Sequence, residues 1–281
     1  MTFTFVDEAY RPIRASLGEY GRGIAGGLIF SMPLLYTMEL WQTGHRIEPE
    51  RLIAAMIATF VVLLGYNRYA GLREDASLAE VVIDSFEELG LGVVLSAVML
   101  WMMGLFGNDQ PLEMQIERLV VEALVTAIGV SVGTAQLNAS EEDSGINEDK
   151  DDEPSLGSNI TLGVCGSLLL ATSIAPTDEV PIIATSSSAP KLIGMLLLAC
   201  FLAGTILLYS LQRGEQQDRA TPLELAMATA LTVTVALAVS AMLLWFFNRF
   251  DGRSLYHCVA LTIVLGVPAS LGAAAGRLLL E

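Results

Sequence analysis

Four long stretches of this chain carry no charged side chain, and they constrain the fold more than any other feature. They cover 154–177, 192–212, 225–248 and 254–276. A helix of about 20 apolar residues spans the hydrocarbon core of a bilayer, and each stretch is long enough to do so. Backbone polar groups in hydrocarbon must be paired internally, so such segments form helices. The sequence therefore predicts an all-α, polytopic transmembrane helical bundle.

Composition agrees with this class and excludes several others. Hydrophobic residues make up 53% of the chain and charged residues 16%, whereas soluble domains are about a quarter charged. A net charge of −16 without a basic patch argues against nucleic-acid binding. Cys165, Cys200 and Cys258 all lie in apolar runs, so no disulfide framework is predicted. Residues 1–22 are polar and lack the apolar core of a signal peptide.

The apolar segments predict about eight spans. We place them at 23–42, 51–68, 87–107, 117–137, 157–176, 190–211, 222–248 and 255–277. With the N-terminus inside, the inner and outer connections carry 9 and 6 lysines plus arginines, which favours a cytoplasmic N-terminus in the cell membrane. The count is the same if the fifth segment re-enters the membrane, so charge alone leaves seven or eight crossings open.

The second half of the chain resembles the first, which indicates an internal duplication. When 23–108 is aligned without gaps to 163–248, 14 of the 86 pairs are identical. The matched pairs include Gly23/Gly163, Gly26/Gly166, Thr37/Thr177 and Glu39/Glu179. Small residues four apart, such as Gly129/Gly133 opposite Ala269/Ala273, are typical of close helix packing in lipid.

We therefore predict two four-helix membrane repeats at 23–137 and 157–281. A polar segment, 1–22, precedes the first repeat, and an acidic linker, 138–156, separates the two. Because each repeat has an even number of spans, both enter the membrane from the same side. The repeats are then parallel, related by a pseudo-two-fold axis along the membrane normal.

Carboxylates near the ends of apolar spans are the candidate ion ligands. Glu39 and Glu179 match in the duplication, and each follows a threonine at the end of the first span of its repeat. Prolines near both glutamates interrupt helical hydrogen bonding and free backbone carbonyls. These carbonyls and the nearby side chains are hard oxygen ligands of the kind that inorganic cations prefer. The predicted ion ligands are Thr37, Glu39, Thr177, Asp178 and Glu179, with Glu39, Asp178 and Glu179 as the metal-binding carboxylates; the alternative is that they are helix-end residues at the water interface.

A second acidic group opens the third span. Glu80, Asp84, Glu87 and Glu88 are spaced to share one helical face. We predict that Asp84, Glu87 and Glu88, with Glu122 on the fourth span, form a vestibule that concentrates cations. Alternatively, the acids at the helix start complement the helix dipole, and Glu122 pairs with Arg118.

The remaining polar features have simpler interpretations. Segment 141–153 holds eight carboxylates and one lysine but lacks the ligand spacing of an EF-hand, so a disordered linker is favoured over a calcium sensor. His45 and His257 have no partners at metal-ligand spacing, and we interpret them as interface residues. Only two lysines stand beside 13 arginines and many acids, a composition that suits a salt-loving prokaryote.

Two motifs support a resemblance to a known family. The run GLIFSMPLLYTMELW at 27–41, taken with APTDEVP at 175–181, resembles a family of prokaryotic integral membrane proteins of unknown function. The resemblance extends over most of the chain and implies a multi-pass topology, with no activity to transfer. The acidic run at 176–179 also resembles the repeat motifs of cation/calcium exchangers, but those use inverted repeats and a Gly-Asn-Ser context that is absent here.

These observations predict a cation transporter or channel for protons, sodium, potassium or calcium. The chain has no P-loop, Gly-x-Ser-x-Gly or His-Glu-x-x-His motif, so neither an enzyme nor an ATP-driven pump is expected. No cofactor is predicted other than calcium or another inorganic cation. The expected partners are the lipid bilayer and these cations, with homo-oligomer formation left open. The alternative function is a non-transporting membrane scaffold or sensor whose acids are structural.

Overall fold

The computed structural model describes residues 13–37, 47–70, 77–106, 111–136, 155–213 and 221–278. Within these ranges the protein is all-helical, with nine helices and no strand. The first half contains α1 (Ile13–Leu35), α2 (Pro49–Tyr69), α3 (Leu78–Met102) and α4 (Leu112–Gln136). The second half contains α5 (Leu156–Ala171), α6 (Glu179–Ser186), α7 (Ala189–Arg213), α8 (Pro222–Phe246) and α9 (Leu255–Leu278).

Five helices in the described ranges are long and apolar enough to cross a membrane. They are Pro49–Tyr69, Leu112–Ala135, Ala189–Tyr209, Pro222–Phe246 and Leu255–Leu278. The predicted helical membrane bundle is thereby confirmed, whereas the predicted number of eight spans goes beyond these five. The acidic segment 141–153, His45 and Glu39 lie outside the described residues.

Three predicted spans differ clearly in extent from the helices that form. The span predicted at 87–107 is α3, which runs from Leu78 to Met102. Helix α1 begins at Ile13, within the predicted polar segment, and ends at Leu35 instead of residue 42. Helix α5 is a shorter apolar helix that ends at Ala171, so the predicted span 157–176 finishes in a series of turns. Pro176 lies in these turns, where its missing backbone N–H cannot continue a helix. The short helix α6 then begins at Glu179.

Helices α3 and α8 have the same terminal structures. Both are 25 residues long, and both begin with a capping box, formed by Ser77 with Glu80 and by Thr221 with Glu224. At their C-terminal ends, Gly104 and Asn248 have left-handed φ values of 74° and 58°. The backbone N–H of the following residue then donates to the helix at 2.8 Å in each case, Leu105 to Leu100 and Arg249 to Leu244.

Each half contains a close antiparallel crossing between its first and last long helices. In the first, Gly26 of α1 lies against Gly129 and Gly133 of α4, where an added Cβ would overlap backbone atoms. In the second, Gly166 of α5 lies in the same way against Gly272 and Gly276 of α9. Backbones in contact of this kind gain van der Waals attraction that lipid cannot match.

The crossings correct one detail of the sequence comparison. The ungapped alignment that pairs Gly26 with Gly166 also pairs Gly129 and Gly133 with Ala269 and Ala273. In the structure their counterparts at the crossing are instead Gly272 and Gly276. Helix α9 begins correspondingly later in its half than α4 does in the first. The two halves therefore differ in the lengths of their connections, which an ungapped comparison cannot follow.

The helices by which the first half contacts the second are not the counterparts of those by which the second contacts the first. Helices α2 and α4 of the first half pack on α5 of the second, and α2 also reaches α8. Gly65 of α2 contacts Thr161 of α5, and Arg51 of α2 donates to the Trp245 carbonyl of α8 at 2.6 Å. A two-fold axis would pack α7 on α1 as extensively as α2 packs on α5, and the described residues show no contact of that extent. The contact between the halves therefore does not have the predicted two-fold form.

Candidate functional site

The two threonines of the predicted ion site have the same local structure. The Thr37 hydroxyl donates to the Leu34 carbonyl at 2.8 Å, and the Thr177 hydroxyl donates to the Ile174 carbonyl at 2.8 Å. The Thr37 hydroxyl thus closes the end of α1, whereas the Thr177 hydroxyl closes a turn that follows α5. Glu39 lies outside the described residues, so its relation to Thr37 stays a prediction.

Asp178 and Glu179 lie at the surface of the turn between α5 and α6. The Asp178 carboxylate accepts a hydrogen bond from Arg249 Nη1 at 3.0 Å, and Arg249 also donates to the Pro176 carbonyl. A guanidinium therefore binds the oxygens that were expected to hold a cation. The described residues contain no group of three His, Cys, Asp or Glu side chains that could bind a metal ion.

The acids at the start of α3 do not act as one surface. Glu80 accepts from the Ser77 backbone N–H at 2.7 Å within the capping box. This glutamate therefore stabilises the start of the helix. Glu87 is exposed and accepts from the Tyr20 hydroxyl at 3.4 Å, while Asp84 is partly exposed. Glu88, one residue further, points into the first half.

Glu88 is half-buried and belongs to a polar cluster that joins α2, α3 and α4, whose other members are buried. The side-chain amide of Asn67 donates to Glu88 Oε2 at 2.7 Å and to Ser85 Oγ at 3.0 Å. The Ser131 hydroxyl of α4 donates to Asn67 Oδ1 at 3.2 Å. Asn67 and Ser131 were not among the site residues predicted from the sequence. The available signal was an asparagine within an otherwise apolar segment, which is rare without a polar partner.

Glu122 of α4 has a different environment from either sequence-based interpretation. It is fully buried, and neither carboxylate oxygen has a hydrogen-bond partner. The nearby Ser31 hydroxyl of α1 donates instead to the Leu28 carbonyl at 3.4 Å. Arg118, the proposed partner of Glu122, interacts electrostatically with Glu117. Glu122 therefore neither lines an open vestibule nor forms a hydrogen-bonded ion pair.

Buried hydroxyl groups lie between the two carboxylates. Ser96 of α3 donates to Thr126 Oγ1 of α4 at 2.9 Å, and Thr126 donates to the Glu122 carbonyl at 2.8 Å. The buried polar residues of α4 extend from Glu117 to Ser131, a distance of about 21 Å at 1.5 Å per residue. The residues of this polar row are Glu117, Arg118, Glu122, Thr126 and Ser131 on α4, with Ser96, Glu88 and Asn67 beside them.

In the described part of the second half, the positions of the two carboxylates are taken by residues without a carboxyl group. Glu122 corresponds to Leu265 when α4 and α9 are matched by their glycine crossings, and Asn67 corresponds to Leu207 in the ungapped alignment. Both leucines are buried. Glu88 corresponds to Thr232, whose hydroxyl accepts from Arg277 Nη1 at 2.7 Å. A similar helical unit therefore packs without either carboxylate.

The remaining candidates have ordinary surroundings. His257 lies near the start of α9, with Nδ1 3.3 Å from the Ser254 hydroxyl, and its interpretation as an interface residue stays a prediction. Cys165, Cys200 and Cys258 are free thiols.

Long apolar helices that pack through glycines and enclose carboxylates define an integral membrane protein of the helical-bundle class. The chain belongs to the family described as "Putative integral membrane protein (DUF2391)", which matches residues 19–280. This match confirms the resemblance inferred from the two motifs. No curated protein and no solved structure matches the chain.

Proposed function

We propose that the protein moves cations across the membrane through the interior of its first half, with Glu122 and Glu88 as the essential carboxylates. The observation that carries the proposal is the setting of Glu122, which is fully buried and has no hydrogen-bond partner for either oxygen. Ionisable side chains inside membrane spans are expensive and mark ion or proton pathways.

The free-energy cost of the residue buried at position 122 differs from that of its counterpart in the second half. An ionised carboxylate at the centre of a bilayer costs at least a few kcal/mol unless a cation or a donor compensates it. Leu265 fills the position of Glu122 in the second half without any such cost. Packing therefore gives no reason for a carboxylate at residue 122, and binding of a cation does.

The polar row favours a proton over a metal ion. Calcium takes six to eight oxygen ligands, whereas Glu122 is a single carboxylate with Ser31 as its polar neighbour. Hydroxyl and carboxyl groups can pass a proton along hydrogen bonds without a dehydrated coordination shell. Ser96, Thr126 and Ser131 lie along the same polar row, and in our proposal they pass the proton between Glu122 and Glu88.

The two ends of the row differ. At one end, Glu88 lies beside the exposed Glu87 and the partly exposed Asp84 of α3, which would attract cations. At the other end, α1 and α4 are antiparallel, so Thr37 lies at the same end of the unit as Glu117. We propose that Glu39, Asp178 and Glu179 act at this second mouth.

The proposed membrane topology has eight spans in two parallel four-helix repeats, with a cytoplasmic N-terminus in the cell membrane. Three parallels support it: the capping boxes of α3 and α8, the glycine crossings in both halves, and the hydrogen bonds of Thr37 and Thr177. Cysteine accessibility from either side of sealed vesicles would test the orientation of each connection.

The transport proposal is tested in liposomes. We expect a pH gradient to dissipate faster with reconstituted protein than without it. Glu122→Gln should abolish this flux, and the exposed Glu87→Gln should retain most of it. Parallel assays with sodium, potassium and calcium identify the ion and any coupling.

The alternative function is a membrane scaffold or sensor whose acids are structural. Absence of flux for all four ions, with wild-type protein that is folded and monodisperse after reconstitution, would contradict transport and favour this alternative. Equal flux in wild type and Glu122→Gln would contradict the assignment of the pathway to the first half.

A further inference from the structure

The contact between the halves has the geometry of a head-to-tail interface. The first half contributes α2 and α4, and the second half contributes α5 and α8. By the helix correspondence, α5 and α8 are the counterparts of α1 and α3, whereas α2 and α4 are the counterparts of α7 and α9. Each unit thus has two different faces, and within one chain only one face of each unit is used.

The unused face of the first half consists of residues whose counterparts are buried. Leu169 of α5 is 8% exposed, but Ile29, its counterpart on α1, is 61% exposed. Phe246 of α8 is 5% exposed, but Met102, its counterpart on α3, is 68% exposed. The difference arises because the first half covers α5 and α8, while nothing in the described part of the chain covers the same surface of α1 and α3.

The unused face of the second half shows the reciprocal difference. Val125 and Ile128 of α4 are buried by the second half, whereas their counterparts on α9, Pro268 and Leu271, are partly exposed. We call the α1–α3 surface around Ile29 and Met102 the head face, and the α7–α9 surface around Leu198 and Leu271 the tail face.

One pair of small and larger residues indicates that these faces fit each other. Between the halves, Gly65 of α2 lies against Thr161 of α5, with 3.1 Å from an ideal Cβ to Thr161 Cγ2. At the counterpart positions the residues are exchanged: Thr205 is exposed on α7, and Gly21 is exposed on α1 with open space around it. If the tail face of one copy packed on the head face of another, Thr205 would oppose Gly21 as Thr161 opposes Gly65.

We propose that copies of this chain associate in the membrane by the head face of one copy packing on the tail face of the next. The partner is a second copy because the faces repeat the contact that already joins the two halves. A bilayer allows no displacement along its normal, so repetition of one such contact rotates about that normal. The assembly then closes into a ring when the rotation divides a full turn.

Disulfide cross-linking tests this arrangement with a control inside the chain. In a background with Cys165, Cys200 and Cys258 replaced by alanine, Gly65→Cys with Thr161→Cys should form an intrachain bond. The Cβ separation there is 3.8 Å, which is close to the mean value of about 3.8 Å in disulfides. Gly21→Cys with Thr205→Cys should instead link separate copies in membranes, giving a ladder that ends at one largest species.

Single-cysteine variants and a mass measurement distinguish the proposed assembly from a face-to-face dimer and from a monomer. Gly21→Cys or Thr205→Cys alone should give no linked pair, and dimers from either one would show a face-to-face contact and overturn the proposal. The mass of the uncross-linked wild-type protein in lipid nanodiscs should correspond to two or more chains. A mass of one chain over the whole concentration range would mean that lipid covers both faces, and would overturn the proposal whatever the cross-linking yield.

Discussion

The side-chain amide of Asn67 on α2 donates to Glu88 Oε2 on α3 at 2.7 Å. The same amide reaches Ser85, and its oxygen accepts from Ser131 of α4. One asparagine therefore connects three helices of the first half around a carboxylate. Glu122, further along α4, has no comparable donor. The two carboxylates should respond differently to substitution.

Removal of the Asn67 amide should destabilise the protein. Asn67→Leu introduces the residue found at the counterpart position, Leu207, and leaves Glu88 without its strongest donor. An unsatisfied buried polar group costs about 1–3 kcal/mol. We expect a lower unfolding temperature in detergent and a reduced proton flux. Unchanged stability would show that Glu88 is satisfied by water and does not depend on Asn67.

Substitution of Glu122 should have the opposite effect on stability. Glu122→Leu introduces the residue at the counterpart position, Leu265, and removes a buried carboxyl group that has no donor. Replacing such a group by an apolar side chain is close to neutral or stabilising. We expect an unfolding temperature equal to or above that of wild type, with proton flux lost.

Glu122→Gln is the matched control for this substitution, since it retains the shape and removes the charge. It should lose flux without the gain in stability. Strong destabilisation by the leucine would indicate that Glu122 has a structural partner.

The glycine crossing of α1 and α4 should tolerate no side chain. Gly26→Ala places a Cβ against the Gly129 carbonyl and Gly133, which are backbone atoms that cannot move aside. We expect a loss of stability comparable to overpacking of a core, about 1–3 kcal/mol. Gly166→Ala should act similarly at the α5–α9 crossing.

Gly90→Ala is the control, because a Cβ at this position of α3 meets no atom within 4 Å. Alanine is favoured over glycine in a helix by up to about 1 kcal/mol, so this variant should be as stable as wild type or more so. Equal effects of the two substitutions, measured by thermal unfolding, would contradict close packing at Gly26.

The ion pair between Asp178 and Arg249 should contribute little to stability. Asp178 is largely exposed, and exposed ion pairs are worth about 1 kcal/mol or less. A double-mutant cycle with Asp178→Asn and Arg249→Gln should therefore give a small coupling energy that decreases with added salt. Arg249→Gln also frees the Asp178 carboxylate, so it tests the predicted cation site. Stronger binding of a cation by this variant would support Asp178 as a ligand.

Several features could be predicted from particular residues. The uncharged runs indicated the membrane class, and small residues four apart, such as Gly129 and Gly133, indicated close helix packing. Both signals are local, because hydrophobicity and the lack of a side chain act at the residue itself. The register of α9 relative to α4 was misjudged, since connection lengths are not visible in an ungapped comparison.

The candidate site was predicted less well. Glu88 and Glu122 were recognised as carboxylates near apolar spans, but they were assigned to an open vestibule. Helical spacing gives the face on which a residue lies, and it does not say which neighbouring helix covers that face. Asn67 and Ser131 join Glu88 only because α2, α3 and α4 all pack against one another.

The sequence by itself determined that this protein is a helical membrane protein and which residues can pack closely, because these properties follow from the chemistry of each segment. Only the tertiary structure decided which carboxylates are buried, which hydroxyl groups lie between them, and that the halves meet through unlike faces. Those properties depend on contacts between helices far apart in the chain. Side-chain burial is fixed when neighbouring helices exclude both water and lipid, and no single segment contains that information.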